Sequence, residues 1–143
     1  MARDDTTLEA AGAEHLVVGN LLIGGLQAFR AYANQSGYDV LVVDPKTERS
    51  LKVQVKSRVA IDSGSFKIKH PDFDFVVFVR LNRGTKAARK EGRRDGADQP
   101  QFYIVPKEEI VFISGIARIA KSRLKEKYLN NWDAIKRKLI EGE

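Results

Sequence analysis

The chain has 143 residues, enough for one domain with a real core and too few for two of ordinary size. With 43% hydrophobic and 31% charged residues it has the composition of a folded globular protein, and no apolar run approaches the roughly 20 residues that span a bilayer. There is no cysteine, which excludes disulfides, thiolate metal sites and cysteine nucleophiles, and the net charge of +6 suits phosphate backbones, anionic lipid or acidic proteins.

Thr6-x-x-Glu9 has the spacing of a capping box and opens a helix whose apolar stripe runs through Val18, Leu21, Leu22, Gly25 and Phe29. Gly24-Gly25 reads as a bend or a close backbone contact within that helix, which is expected to stop at Asn34 to Gly37. Tyr38 to Asp44 reads as a central strand, residues 45–49 as a turn, and Ser50 to Val59 as an alternating strand forming an antiparallel hairpin with it. A loop from Ile61 to Ser65 and a short strand from Phe66 to His70 follow. Phe73 to Leu81 is the clearest strand of the chain. Asn82 to Pro100 is a long polar, basic insertion, Gln101 to Val105 a further strand, and residues 107–143 a helical C-terminal segment ending in a helix from Trp132 to Ile140. The whole is expected to be one domain, α/β in class, with helices on the faces of a mixed sheet. No GxxxxGK loop and no GxGxxG after a strand is present, so a nucleotide cofactor has no support.

The chemistry concentrates in Glu14, Asp39, Gln54 and Lys56. Gln54 and Lys56 lie two apart on a strand and therefore share a face. The turn near residues 45–49 folds Asp39 back toward the Lys56 end. Glu14 lies four residues before Val18 and seven before Leu21, on the stripe assigned to the core, where a carboxylate needs a partner: a metal, Lys56 or a strand residue. Hard oxygen donors of this kind suit Mg²⁺ or Mn²⁺: Asp39 as the main ligand, Gln54 giving a neutral carbonyl oxygen, Glu14 a direct or water-bridged contact, and Lys56 assisting an attacking water in phosphodiester hydrolysis. Each residue taken singly also has an ordinary reading, as a turn aspartate, a structural salt bridge or the solvated face of a strand. Asp72 and Asp74 form a rival acidic pair without a lysine two residues on, and read as capping or solvated groups.

The run GAEHLVVGNLLIGGLQAFRAY, followed by YDVLVVD, LKVQVKSR, FDFVVFVRL and FYIVP, resembles the PD-(D/E)XK nuclease superfamily over about residues 9–106, in particular its Holliday-junction resolvase and homing-endonuclease branches. The resemblance implies a restriction-endonuclease-like core of αβββαβ type. Its helical glutamate falls on Glu14, its metal-binding aspartate on Asp39 and its (D/E)XK element on Gln54-Val55-Lys56. Gln54 departs from the pattern, because an amide keeps an oxygen ligand and removes a negative charge. The implied activity is a Mg²⁺-dependent DNA endonuclease acting on structured or branched duplex, with a homodimer as one assembly. Arg58 and the loop cations Arg83, Lys86, Arg89 and Lys90 are candidates for contact with the DNA backbone. Two alternatives stand beside it: a nuclease-fold DNA-binding module without activity, and a protein-interaction domain for an acidic partner. The first residues lack a basic segment followed by an apolar one, so a secretory signal is not expected and the cytoplasm is the default location.

Overall fold

The computed structural model describes residues 6–31, 38–59, 65–68, 72–113, 116–120 and 126–142. Helix α1 spans Thr6–Ile23 and ends at the glycine pair. Gly25 adopts φ +91°, Leu26 N–H donates to the Leu21 carbonyl at 2.9 Å and Gly25 N–H to that of Leu22 at 3.0 Å. This pair of bonds around a left-handed glycine is a Schellman C-cap, and the buried Leu21 and Leu26 supply the apolar contact that accompanies it. Gly24-Gly25 therefore stops the helix, where the sequence reading carried it on. The released chain turns directly into strand β1, Gln27–Arg30, which the helical reading had absorbed. The expected stop at residues 34–37 lies outside the described residues. The stripe that α1 buries is Ala13, Val17 and Leu21, with Val18 partly covered and Leu22 and Phe29 exposed.

Strands β2 (Val40–Val43) and β3 (Ser50–Arg58) form the expected antiparallel hairpin, with Val40 opposite Val53 and Val43 opposite Ser50. Its turn is tied by Asp44, whose carboxylate accepts from Lys46 N–H at 3.1 Å and Thr47 Oγ1–H at 2.9 Å. Strand β4 (Ser65–Ile68) leaves this sheet, and β5 (Phe75–Arg80) returns to it parallel to β3, with Gln54 opposite Val76 and Lys56 opposite Phe78. Among the described residues no helix stands in the connection from β3 to β5. β6 (Gln101–Pro106) closes the five-stranded sheet in the order β1-β2-β3-β5-β6.

The basic insertion is folded. It contains the short helix α2 (Lys86–Lys90), capped by Thr85 Oγ1 accepting from Ala88 N–H at 3.1 Å, with Gly84 and Gly96 at positive φ on either side. The helical reading of residues 107–143 holds for the final helix and is corrected ahead of it, where two strands form. After a 3-10 turn at Lys107–Glu109 come β7 (Val111–Ile113) and β8 (Ile116–Ala120); β8 lies between β7 and β4 in a second, three-stranded sheet. The sequence periodicity there was too short to separate strand from helix, and the partner strand is about fifty residues away in sequence. The final helix α3 spans Asp133–Glu141 and ends at the left-handed Gly142.

One face of the large sheet packs against α1 and α3: Val40, Val42, Val53, Val55, Val77 and Ile104 meet Ala13, Val17, Leu21, Ile135 and Leu139. Burial of a side chain such as Leu21, 1% exposed, contributes about 2 kcal/mol. The opposite face carries a second cluster of Phe73, Val76, Phe78, Val105, Ile110 and Tyr128. β5 is buried on both faces, which explains its continuous apolar sequence. No described helix is long and apolar enough to cross a membrane.

Candidate active site

Along β3 the odd positions Leu51, Val53 and Val55 enter the helix-covered core, and the even positions Gln54 and Lys56 turn to the other face. The β2–β3 register ends at Val40 opposite Val53, so Asp39 lies one residue beyond the last regular pair, at the open end of the hairpin. The ladder becomes irregular there. Asp39 N–H donates to the Val53 carbonyl at 2.9 Å, and the Asp39 carboxylate, through Oδ2, accepts from Val55 N–H at 2.8 Å. A side-chain oxygen thus satisfies a strand amide where β2 begins, and this fixes the carboxylate at Val55 of β3.

Among the described residues, Gln54 Oε1 is buried without a hydrogen-bond partner. An orphaned buried acceptor costs roughly 1–3 kcal/mol, and it needs a donor or a cation. Burial pushes the Asp39 carboxyl above its ordinary range, while the Val55 amide and the positive charges of Lys56 and Arg30 pull it back. The Lys56 attraction puts Asp39 within electrostatic reach of the lysine, and the raised value reflects burial.

Glu14 reaches this neighbourhood from α1 and has a partner the sequence reading did not name. Arg30, at the end of β1 opposite Val40, donates to Glu14 Oε1 through Nε at 3.2 Å and Nη2 at 3.1 Å. Arg30 Nη1 also lies 3.1 Å from His15 Nε2. Burial raises the Glu14 carboxyl, the negative charge of Asp39 raises it further, and Arg30 and His15 oppose both. Charge interactions thus link Glu14, Lys56 and Arg30 to Asp39, while Gln54 adjoins this group only as the neighbour of Val55 on β3 and turns, with Lys56, away from the helix-covered face that Arg30 shares with Ala28. A strand reading of QAFR, with Ala28 and Arg30 on one face, was the signal that could have found Arg30.

The rival acidic pair does other work. Asp74 Oδ2 accepts from Lys52 N–H at 2.8 Å and thereby joins β3 to the start of β5. Asp72 forms an exposed ion pair with Lys52 at 2.9 Å. Among the described residues no three His, Cys, Asp or Glu side chains gather as a metal-binding group. Any cation at the main site would rest on a mixed set of carboxylate and amide oxygens.

Of the expected DNA-contacting cations, Arg58 is exposed at the end of β3. Arg83, Lys86, Arg89 and Lys90 instead line a groove of about 540 Å³ whose floor is Leu8, Gly12 and Leu16 of α1 with Leu81. Arg83 is ion-paired with Glu9, and Arg89 Nη1 donates to the Gly84 carbonyl at 2.7 Å.

Two solved structures share this architecture. The Holliday junction resolvase Hjc of Archaeoglobus fulgidus superposes with a TM-score of 0.54 at 12% identity, over 89% of this chain and 94% of its own. A bacterial homing endonuclease, I-Ssp6803I, superposes with a TM-score of 0.58 at 20% identity, over 99% of this chain and 97% of its own. The chain has the restriction-endonuclease-like fold of these two structures. No family model matches the sequence, and no curated protein does. Within a restriction-endonuclease-like fold, the hairpin bearing Asp39, Gln54 and Lys56 lies in the interior of the sheet rather than at an edge, since β1 and β5 flank it.

Proposed function

We propose that the protein is a metal-dependent endonuclease that hydrolyses DNA phosphodiester bonds at Asp39, Gln54 and Lys56. The observation that carries this reading is the partly buried Asp39 carboxylate held on the Val55 amide, one residue along β3 from Gln54, whose Oε1 is buried without a partner among the described residues. A buried carbonyl oxygen with no donor and a desolvated carboxylate are both hard donors that suit a divalent cation. Asp39 and Gln54 would hold Mg²⁺ or Mn²⁺, with Glu14 contributing through a water. When bound, the cation would polarise the scissile phosphate and acidify a water molecule.

The chain's own residues account for the rest. Lys56, on the same strand face as Gln54, orients the attacking water and offsets negative charge as it builds on the phosphate. The Asp39–Val55 hydrogen bond keeps the carboxylate from turning away. Arg30 neutralises Glu14, which lowers the repulsion that Asp39 would otherwise meet. Arg58 extends the cationic character of β3 toward a backbone phosphate, a contact that is sensitive to salt and blind to sequence. Structured or branched duplex is the proposed substrate class, and a homodimer the proposed assembly, tested by sedimentation.

The mixed donor set favours one second reading. With an amide in place of the second carboxylate and Glu14 engaged by Arg30, the same fold would bind DNA without cutting it. Incubating the protein with duplex DNA in Mn²⁺ separates the two. Nicking that is lost in both Asp39→Ala and Lys56→Ala supports the enzyme, and metal-independent binding without nicking supports the module.

A further inference from the structure

Helix α1 serves two flanks. Gly12 and Leu16 each stand two positions from Glu14, and two positions on an α-helix are about 160° apart around its axis. The groove they floor therefore opens on the far side of α1 from Glu14, and it has no part in the chemistry proposed above. The sequence of α1, TTLEAAGAEHLVVGNLLI, is apolar well beyond the Ala13, Val17 and Leu21 stripe that the core uses. A helix that is apolar around its circumference is normally covered around its circumference. Here Leu8 is 70% and Leu16 38% exposed.

The groove has the dimensions and the charge of a helix-docking site. From Leu8 to Leu16 it follows α1 for about 12 Å, a little over two helical turns. A Cβ placed on Gly12, midway along the floor, would meet nothing within 4 Å. That leaves room for an incoming side chain. The opposite wall is α2 and the residues before it, which set Arg83, Lys86, Arg89 and Lys90 along the rim against the single carboxylate of Glu9. Arg83 takes up that carboxylate. Lys86 and Lys90 are exposed, and neither forms an ion pair among the described residues. An apolar floor beneath a cationic rim is complementary to an amphipathic helix whose apolar side chains recur every three to four residues and whose flanks are acidic. Nucleic acid is a poorer match, because the floor offers leucines and a glycine where stacking would call for aromatic rings.

The geometry points to the α1–α2 groove as a docking site for an acidic amphipathic helix of another protein, distinct from the hydrolytic site. The occupant places two or three apolar side chains over Leu8, Gly12, Leu16 and Leu81 and its carboxylates beside Lys86 and Lys90. This inference does not depend on the nuclease reading.

The test uses the full chain, ¹⁵N-labelled, titrated with a synthetic helical peptide of leucines at i, i+3, i+4 and i+7 and glutamates between them. Saturable binding is expected, with amide shifts at Gly12, Leu16, Leu81 and Lys86, and at least tenfold weaker binding to a peptide of scrambled order. Gly12→Phe, which fills the groove and replaces a poor helix former, is expected to weaken binding at least tenfold while the rest of the spectrum is kept. Lys86→Glu/Lys90→Glu is expected to do the same. Equal binding of the scrambled peptide, or binding unaffected by Gly12→Phe, overturns the proposal. So does displacement of the peptide by duplex DNA with shifts at the same amides, which makes the groove a DNA contact. Self-association abolished by Gly12→Phe overturns it as well, because the occupant is then a second copy of this chain.

Discussion

Replacing Gln54 by methionine separates what the residue costs the fold from what it does in the site. The side chain is of similar length, and the orphaned Oε1 disappears. That acceptor costs roughly 1–3 kcal/mol while it has no partner. In EDTA, Gln54→Met is therefore expected to be more stable than the parent by about 1–2 kcal/mol, with Tm raised by about 4 °C for each kcal/mol in a chain of this size. Added Mn²⁺ should act in the opposite sense. At a metal concentration ten times the dissociation constant, the parent gains about 1.4 kcal/mol, and a site weakened tenfold gains about 0.4 kcal/mol at the same concentration. Urea unfolding of both proteins, in EDTA and in Mn²⁺, measures the four stabilities. A less stable variant in EDTA would show that Gln54 is a well-satisfied structural amide. Equal metal gains in the two proteins would show that its oxygen does not contact the cation.

Other perturbations probe the neighbouring groups. Gln54→Glu restores a second carboxylate; it should bind Mn²⁺ more tightly than the parent by calorimetry and be less stable in EDTA, because Asp39 and Glu14 already repel one another. Lys56→Ala should lower the cleavage rate by about 10²–10⁴-fold, the usual contribution of a positioned proton-transfer group, with little change in DNA affinity measured at the same salt. Arg30→Ala should cost about 1 kcal/mol, since its pair with Glu14 is only partly buried, and should move the acid limb of the pH–rate profile upward, because Arg30 lowers the affinity of both Glu14 and Asp39 for protons. The two carboxyls have folded values above their unfolded ones of 4.5 and 3.8. Their contribution to stability is thus full below the unfolded values and is lost as pH rises through the folded ones. In EDTA, the double variant Glu14→Gln/Asp39→Asn should lose less stability than the parent between about pH 4 and pH 7.

The hairpin was legible because its signals are local. Alternation from Leu51 to Val55, an Asp-Pro turn and a β-branched run at residues 40–43 all point to the same pairing, and the structure adopts it. Symmetry about the turn carried Asp39 toward the Lys56 end; in the structure the Asp39 backbone and carboxylate bond to Val53 and Val55, and the Lys56 charge acts on the carboxyl. β1 was hidden because a Schellman cap and a bend within a helix share the same Gly-Gly signature, and only the Leu26 to Leu21 hydrogen bond distinguishes them. With β1 went Arg30, so the partner of Glu14 stayed open among a metal, Lys56 and a strand residue, and a strand arginine is what holds it. β7 and β8 were missed because three- and five-residue strands carry little periodicity, and β8, which pairs with β7, depends on distant β4 for its other partner. The capping role of Asp74 follows from its position before a fully buried strand, where a backbone amide of β3 would otherwise lack an acceptor.

The most direct test of the central claim is a metal-supplemented cleavage panel spanning single-stranded, duplex, flap and four-way DNA, run with the parent chain, Asp39→Ala and Lys56→Ala. The expected result is strand scission of at least one substrate in Mg²⁺ or Mn²⁺, abolished by EDTA and by either substitution in protein that remains folded. Cleavage that persists in Asp39→Ala, or a folded parent chain that binds these DNAs and cuts none of them in either metal, would contradict it.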